Sequence, residues 1–177
     1  MRMAVEYVIL VNKDDKPLGT MEKMEAHERA ILHRAFSVFI FNSAGQLLLQ
    51  QRAAHKYHSP LLWTNTVCSH PRQGEETDDA AHRRIVEEMG FDCEFNEVFS
   101  FVYKADVGQG LVEHEFDHVL IGTSDVEPVP NPDEVSDWKY IDLKVLENDI
   151  NENPDNYTVW FKIALSEVLE YFRKIKG

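Results

Sequence analysis

Two short stretches carry the side chains best suited to chemistry. Thr64 to Pro71 reads T-N-T-V-C-S-H-P and holds Cys68 and His70. In an extended segment, residues two apart face the same way, so a thiol and an imidazole share one surface. Thr64, Asn65 and Thr66 can hydrogen-bond nearby backbone and fix that geometry, and Pro71 ends the extended run. Glu113-His114-Glu115 repeats the pattern with two carboxylates on one face. Like charges side by side repel unless a cation or a proton intervenes. If the two strand faces oppose each other, a metal and an acid–base pair fit between them.

The wider candidate set follows from donor type. His27, His33, His70, Glu113 and Glu115 are imidazoles and carboxylates, the ligands of borderline divalent ions such as Zn²⁺, Mn²⁺ or Fe²⁺. His27 and His33 lie six positions apart. That is about 600° of helical rotation, so both serve one ion only if the chain breaks between them. Cys68 is a candidate proton donor or acceptor, because nearby cations lower a thiol from its ordinary pKa of about 8.5. Lys23, Arg52, Lys56 and Arg84 suit phosphate oxygens if they gather at one place. Trp63, Tyr103 and Trp160 offer π faces for a transient cation and a phenol for a proton. Taken singly, each has a blander reading. Lone histidines and basic residues are usually surface, and large aromatics and unpaired cysteines such as Cys93 are usually packed in the interior.

These residues need elements to position them. Val5–Val11 reads as a strand, Asn12–Pro17 as a turn, and Leu18–Met21 as a returning strand. Glu22–Leu32 has helical propensity. Ala35–Phe41 is a buried strand, paired through the turn Asn42-Ser43-Ala44-Gly45 with Gln46–Gln51. Thr77 is the expected N-cap of a helix running to Met89, with Ala81, Ile85 and Met89 as its apolar stripe and Gly90 ending it. Glu94–Lys104 and Glu113–Gly122 read as strands joined through Gly108-Gln109-Gly110. Trp138–Ile141 reads as a short strand and Asp142–Asn148 as a helical turn. Tyr157–Lys176 is an amphipathic helix on Phe161, Leu165, Val168, Leu169 and Phe172. The pattern predicts a mixed α/β sandwich, with residues 1–177 forming one domain.

Bulk composition narrows the partners. A formal net charge of -13 on 177 residues argues against nucleic acid and anionic membranes, which need a basic footprint. It leaves room for a small anionic substrate held by a few local cations and a metal. Two cysteines point to a reduced, cytoplasmic chain instead of a disulfide framework. No start resembles a signal peptide, and no apolar run nears the roughly 18 residues of a membrane span. The expected state is a monomer or a homodimer.

A third motif joins these. Gly74-Glu75 precedes a helix ending Arg83-Arg84-Ile85-Val86-Glu87-Glu88-Met89-Gly90, whose Glu87 and Glu88 can ligate Mg²⁺ held by a diphosphate. The stretch resembles the Nudix signature. Glu75, Arg83, Ile85, Glu87, Glu88, Gly90 and Phe91 fit it. Ser69 stands where the signature has its first glycine, and Arg84 where it has a metal-binding glutamate. Together with T-N-T-V-C-S-H-P, the Glu113–Glu115 stretch and the His33-Arg34-Ala35-Phe36 strand entry, it resembles the type I isopentenyl-diphosphate isomerases of the Nudix superfamily. The resemblance covers about Val8 to Phe161.

The resemblance implies a Nudix-like α/β/α sandwich with a mixed β-sheet. It implies an isomerase that moves a double bond between isopentenyl and dimethylallyl diphosphate. Cys68 and Glu115 would be the two acid–base groups, either one giving or taking the proton, and Tyr103 would assist. His27, His33, His70, Glu113 and Glu115 would hold a divalent metal, Mn²⁺ or Zn²⁺. Glu88 and the Cys68 carbonyl would hold a Mg²⁺ that also meets the diphosphate. Lys23, Arg52, Lys56 and Arg84 would face the diphosphate, and Trp160 the carbon skeleton. The loop Tyr57-His58-Ser59-Pro60-Leu61 departs from the family in lacking a tryptophan and a glycine around its proline. The His27-to-His33 spacing is one shorter than in some members. Two rivals remain: a Nudix diphosphatase, which needs the glutamate missing at Arg84, and a non-catalytic prenyl-diphosphate-binding module.

Overall fold

The strand His33–Phe41 (β3) is the one on which the sheet is built. Its run of aromatic and β-branched residues suits a pleated surface covered on both faces, and every residue from Ala35 to Phe41 is buried. The computed structural model describes residues 5–177. Before β3 come β1 (Tyr7–Val11), β2 (Pro17–Glu22) and helix α1 (Lys23–Glu28). After it come β4 (Leu47–Arg52), β5 (Trp63–Thr64), β6 (Val67–Ser69) and α2 (Thr77–Met89). The chain continues with β7 (Phe95–Gly108), β8 (Leu111–Thr123), β9 (Val135–Ile141), α3 (Leu143–Glu152), a 3₁₀ turn at Pro154–Asn156 and α4 (Val159–Lys176).

The strands form one mixed sheet. β3 pairs antiparallel with β6, placing Ser37 opposite Cys68, and parallel with β8, placing His33 opposite Glu115. β7 and β8 are antiparallel neighbours, with Tyr103 opposite Glu115 and Ala105 opposite Glu113. Backbone pairing alone therefore sets His33, Glu115 and Tyr103 level across three strands, with Cys68 on the other side of β3, opposite Ser37 and further along that strand.

Alternation along the strands divides the core. Phe39 and Phe41 of β3, Leu47 and Leu49 of β4, and Val119 and Ile121 of β8 pack with α4. The intervening Phe36, Val38, Ile40, Leu48 and Leu120 pack with Ala80, Ala81, Ile85 and Met89 of α2. The sheet thus has a helix on each face, as the sandwich expectation required. Phe161 is fully buried and stacks against Phe39 and Tyr157 at ring distances of 6.0 and 5.9 Å. Phe161→Ala should cost about 3–5 kcal/mol of stability, read by denaturant unfolding, because the packed ring stacks cannot close over the cavity.

Several expected boundaries move. The helix expected over Glu22–Leu32 is only Lys23–Glu28. The Glu22 carboxylate caps it by accepting from the Met24 and Glu25 N–H groups, and Ala30, at φ 53°, turns the chain away. That break is the one His27 and His33 need in order to converge. Thr77 is not the N-cap of α2. Glu76 occupies that position with extended backbone and Thr77 is the first helical residue, while Asp78 and Asp79 supply the negative charge in the first turn. The last helix begins at Val159, because Tyr157 is extended and Thr158 flanks the first turn. The helical turn after β9 runs through Glu152, started by the Asp142 side chain accepting from Lys144 and Val145. The Thr64–Pro71 stretch is two short strands, β5 and β6, instead of one continuous run.

Candidate active site

One pocket gathers nearly all the expected residues. Cys68, His70, Tyr103, Glu113, Glu115 and Trp160 line it, as do Glu88 and the four cations Lys23, Arg52, Lys56 and Arg84. His27 and His33 are fully buried against it. Trp63 lies elsewhere, under the Lys139 ammonium at 4.1 Å from its ring centroid. Cys93 is a free, half-buried thiol packed beside the α2 face of the core.

The five expected metal donors converge on one place. One ligand atom from each of His27, His33, His70, Glu113 and Glu115 lies within 4.8 Å of the others. His27 Nδ1 lies 2.6 Å from the Lys23 carbonyl, and His33 Nδ1 lies 2.8 Å from the Ile31 carbonyl. A carbonyl only accepts, so Nδ1 carries the hydrogen in each ring and Nε2 is turned inward. His33 Nε2 and Glu113 Oε2 are buried with no hydrogen-bond partner among the described residues. Two buried lone pairs with no hydrogen between them, in one cluster, are what a divalent cation would satisfy, so the residues fit such an ion.

Charge in the cluster follows from burial and pairing. Burial opposes ionisation of Glu113, but hydrogen bonds from His27 and His58 outweigh it and hold this carboxyl well below the usual range. Burial also disfavours a charged His27, yet Glu113 raises its pKa overall. For His70 burial wins over its Glu115 partner and lowers the pKa, favouring the neutral, ligating ring. Glu115 accepts from the Tyr103 hydroxyl at 2.7 Å, and His70 Nε2 lies 3.0 Å from its other oxygen. Burial holds the Tyr103 phenol well above its ordinary pKa, so it keeps the proton that it donates.

Cys68 departs from expectation. The sequence reading has cations lowering its pKa. Instead burial pushes the thiol up to about 12, Arg52 opposes this only partly, and Glu88, Glu115 and Asp117 add to it. Cys68 is therefore a protonated thiol in the metal-free protein. Its alkylation by iodoacetamide at pH 8, in a metal-free Cys93→Ala background, should run about 10³-fold slower than that of a free thiol near pKa 8.5. The rate should climb about tenfold per pH unit from 8 to 10, because the thiolate fraction rises in that proportion below the pKa. A rate that plateaus above pH 9 would refute the assignment.

The four cations are present, and three of them pair with carboxylates. Lys23 pairs with Glu6 and Lys56 with Glu134. Arg84 reaches Glu88 at 2.5 Å, Glu87 at 2.7 Å and Glu134 at 3.4 Å. Arg52 lies over the Trp160 ring, 5.4 Å from its centroid. Glu88 is buried and also accepts from Gln50 Nε2 at 2.8 Å, an amide that donates to the Thr66 carbonyl as well. Glu6, Gln50, His58 and Glu134 are site residues that sequence reasoning missed. Only His58 left a signal, as a histidine inside the loop that departs from the family pattern.

The NUDIX domain family matches residues 31–161. A relative from Photorhabdus laumondii, "Isopentenyl-diphosphate Delta-isomerase 2", is 55% identical over 157 residues, covering 89% of this chain and 89% of its own. The protein of the same name from Aromatoleum aromaticum is 53% identical over 164 residues, covering 93% and 87%. "Isopentenyl-diphosphate Delta-isomerase" from Pectobacterium atrosepticum is 47% identical over 175 residues, covering 99% and 98%. The chain belongs to the isopentenyl-diphosphate Delta-isomerase family of NUDIX proteins. The fold is shared more widely. The crystal structure of the Deinococcus radiodurans protein DR0079 superposes with a TM-score of 0.70 at 23% identity, covering 84% of this chain and 90% of that one. The Nudix hydrolase RenU from M. smegmatis gives 0.57 at 16% identity, covering 94% and 95%. In this isomerase-family chain the NUDIX box is altered where Arg84 replaces a glutamate. The guanidinium there pairs with Glu87 and Glu88.

Proposed function

We propose that this enzyme interconverts isopentenyl and dimethylallyl diphosphate in the cytoplasm, supplying isoprenoid precursors, with one of Cys68 and Glu115 giving a proton to the alkene and the other taking a different proton from the neighbouring allylic carbon. One observation carries the reading. A single pocket presents a protonated thiol and a carboxylate bonded to Tyr103, beside a five-donor cluster and a group of cations. A 1,3-shift of a double bond needs one group that can give a proton and one that can accept it, and both face the pocket before substrate arrives. Which of them acts first exchanges with the direction of reaction.

Protonating an unactivated alkene creates a tertiary cation that water would trap, so the reacting carbons must sit in a dry recess. Trp160 is buried at the pocket, and the π system of its indole suits a transient positive charge. The Tyr103 hydroxyl donates a hydrogen bond to Glu115 at 2.7 Å and so orients that carboxylate for the proton transfer. The His27, His33, His70, Glu113 and Glu115 cluster would hold a Mn²⁺ or Zn²⁺ ion that would supply positive charge beside the Glu115 acid–base group, and Glu88 with the Cys68 carbonyl would hold a Mg²⁺ that would offset the diphosphate charge. Lys23, Arg52, Lys56 and Arg84 anchor that diphosphate without cleaving it. Lys56→Ala should raise KM about tenfold with kcat changed less, since a hydrogen bond to a charged group contributes about 1.5–3 kcal/mol. An unchanged KM would remove Lys56 from the anchor.

The deciding experiment is proton NMR of isopentenyl diphosphate with the enzyme, Mg²⁺ and Mn²⁺ in deuterated water. Dimethylallyl diphosphate carrying deuterium, without free phosphate, is the expected result. Release of phosphate or pyrophosphate would make the chain a hydrolase despite Arg84. An unchanged spectrum with metal bound would leave only a prenyl-diphosphate-binding protein.

A further inference from the structure

His58 belongs to none of the roles assigned above, yet it is held as firmly as the metal donors. It is 2% exposed, although it sits in the loop between β4 and β5. Its Nε2 lies 2.7 Å from Glu113 Oε1, closer than His27 Nε2 at 3.1 Å on the same oxygen. Its Nδ1 meets the Ser59 hydroxyl at 3.2 Å. A hydroxyl donating to Nδ1 leaves Nε2 as the donor to the carboxylate. The ring stands edge-on to Trp160 at 5.7 Å. Arg52 Nη2 donates to the His58 carbonyl at 3.1 Å.

The loop backbone is bent to deliver this ring. Ser59 and Leu61 take φ values of 48° and 60°, a left-handed conformation that costs a non-glycine residue free energy unless its surroundings enforce it. The neck is closed by Leu61 N–H donating to the Arg52 carbonyl and Arg52 N–H donating to the Leu62 carbonyl. The same loop carries Lys56.

We infer that His58 is a positioning residue: by donating to Glu113 Oε1 it turns Oε2 into the donor cluster, and it ties the Lys56 loop to that cluster. Oε2 is the carboxylate oxygen left without a partner, 4.0 Å from His33 Nε2. This inference rests on the metal reading of the five-donor cluster. It adds a residue that orients one ligand and is not itself in the set. Partners that fix a ligating carboxylate typically govern metal affinity by 10–100-fold.

The test is calorimetric titration of the metal-stripped full chain with Mn²⁺ alone, comparing the native protein with H58A, H58F and H58Q. Circular dichroism establishes that each variant is folded. H58A and H58F should bind Mn²⁺ about 10–100-fold more weakly, and H58Q, whose amide can still donate to Oε1, should recover most of the loss. H58F preserves the bulk beside Trp160, so it separates orientation from packing if H58A unfolds. Native-like affinity in folded H58F would overturn the role of His58 while leaving the metal site intact. H58Q binding as weakly as H58F would also overturn it, since the donor would then be irrelevant. No Mn²⁺ uptake by the native chain would overturn both readings.

Discussion

Glu115→Gln and Cys68→Ala should each lower isomerisation by at least about 10³-fold with the fold intact, because each deletes a proton-transfer group that the reaction cannot replace. The glutamine is close in shape to Glu115 and still accepts from the Tyr103 hydroxyl, so the 2.7 Å contact has a counterpart in the variant. It cannot take up the proton itself. Alanine at 68 removes the thiol from a β6 position whose backbone pairing to Ser37 does not depend on the side chain. Deuterium-resolved NMR of both substrates measures the loss, and circular dichroism controls for the fold. The double variant should be little worse than either single one, since two groups that must act in one proton shift are not additive. Retention of even a tenth of native turnover in folded Glu115→Gln would take this carboxylate out of the proton transfer.

Tyr103→Phe should be milder. It removes a hydroxyl that hydrogen-bonds to Glu115 but leaves both acid–base groups in place. The contrast with Glu115→Gln separates a residue that helps move a proton from one that must hold it.

The fold was readable where local chemistry and periodicity agree. The two-residue alternation of β3 and β8 foretold that Glu113 and Glu115 share a face, and the stripe of Ala81, Ile85 and Met89 foretold α2. The turn Gly108-Gln109-Gly110 was visible because three successive residues with positive φ need glycine at most of them. What escaped was decided by long-range placement. Glu6 and Glu134 are ordinary acidic residues in sequence, and only folding sets them against Lys23 and Lys56. The buried Gln50, bridging Glu88 and the Thr66 carbonyl, follows no local pattern. The protonated state of Cys68 does not follow from the motif because nearby cations are legible there, whereas the desolvation of the thiol and the carboxylates around it are properties of the finished pocket.

The donor cluster makes the second large effect a thermodynamic one. In the metal-free protein, Glu113 and Glu115 are buried as neighbours and His33 Nε2 has no hydrogen-bond partner among the described residues, so part of the core is electrostatically incomplete. A divalent ion that binds only the folded chain stabilises it by about 4 kcal/mol when present at a thousand times its dissociation constant. For a chain of this size, each kcal/mol moves Tm by about 2–4 °C, so reloading the stripped enzyme with Mn²⁺ should raise Tm by roughly 8–16 °C. His33→Ala should lose most of that rise, because it deletes a buried nitrogen with no other task. Arg29→Ala, on the exposed Glu25 pair, should keep it. The comparison separates a specific five-donor site from diffuse attraction of cations to a chain of net charge -13, which would raise Tm equally in both variants. Equal shifts in His33→Ala and the native enzyme would mean that the cluster is held together by its own hydrogen bonds, with the metal acting elsewhere.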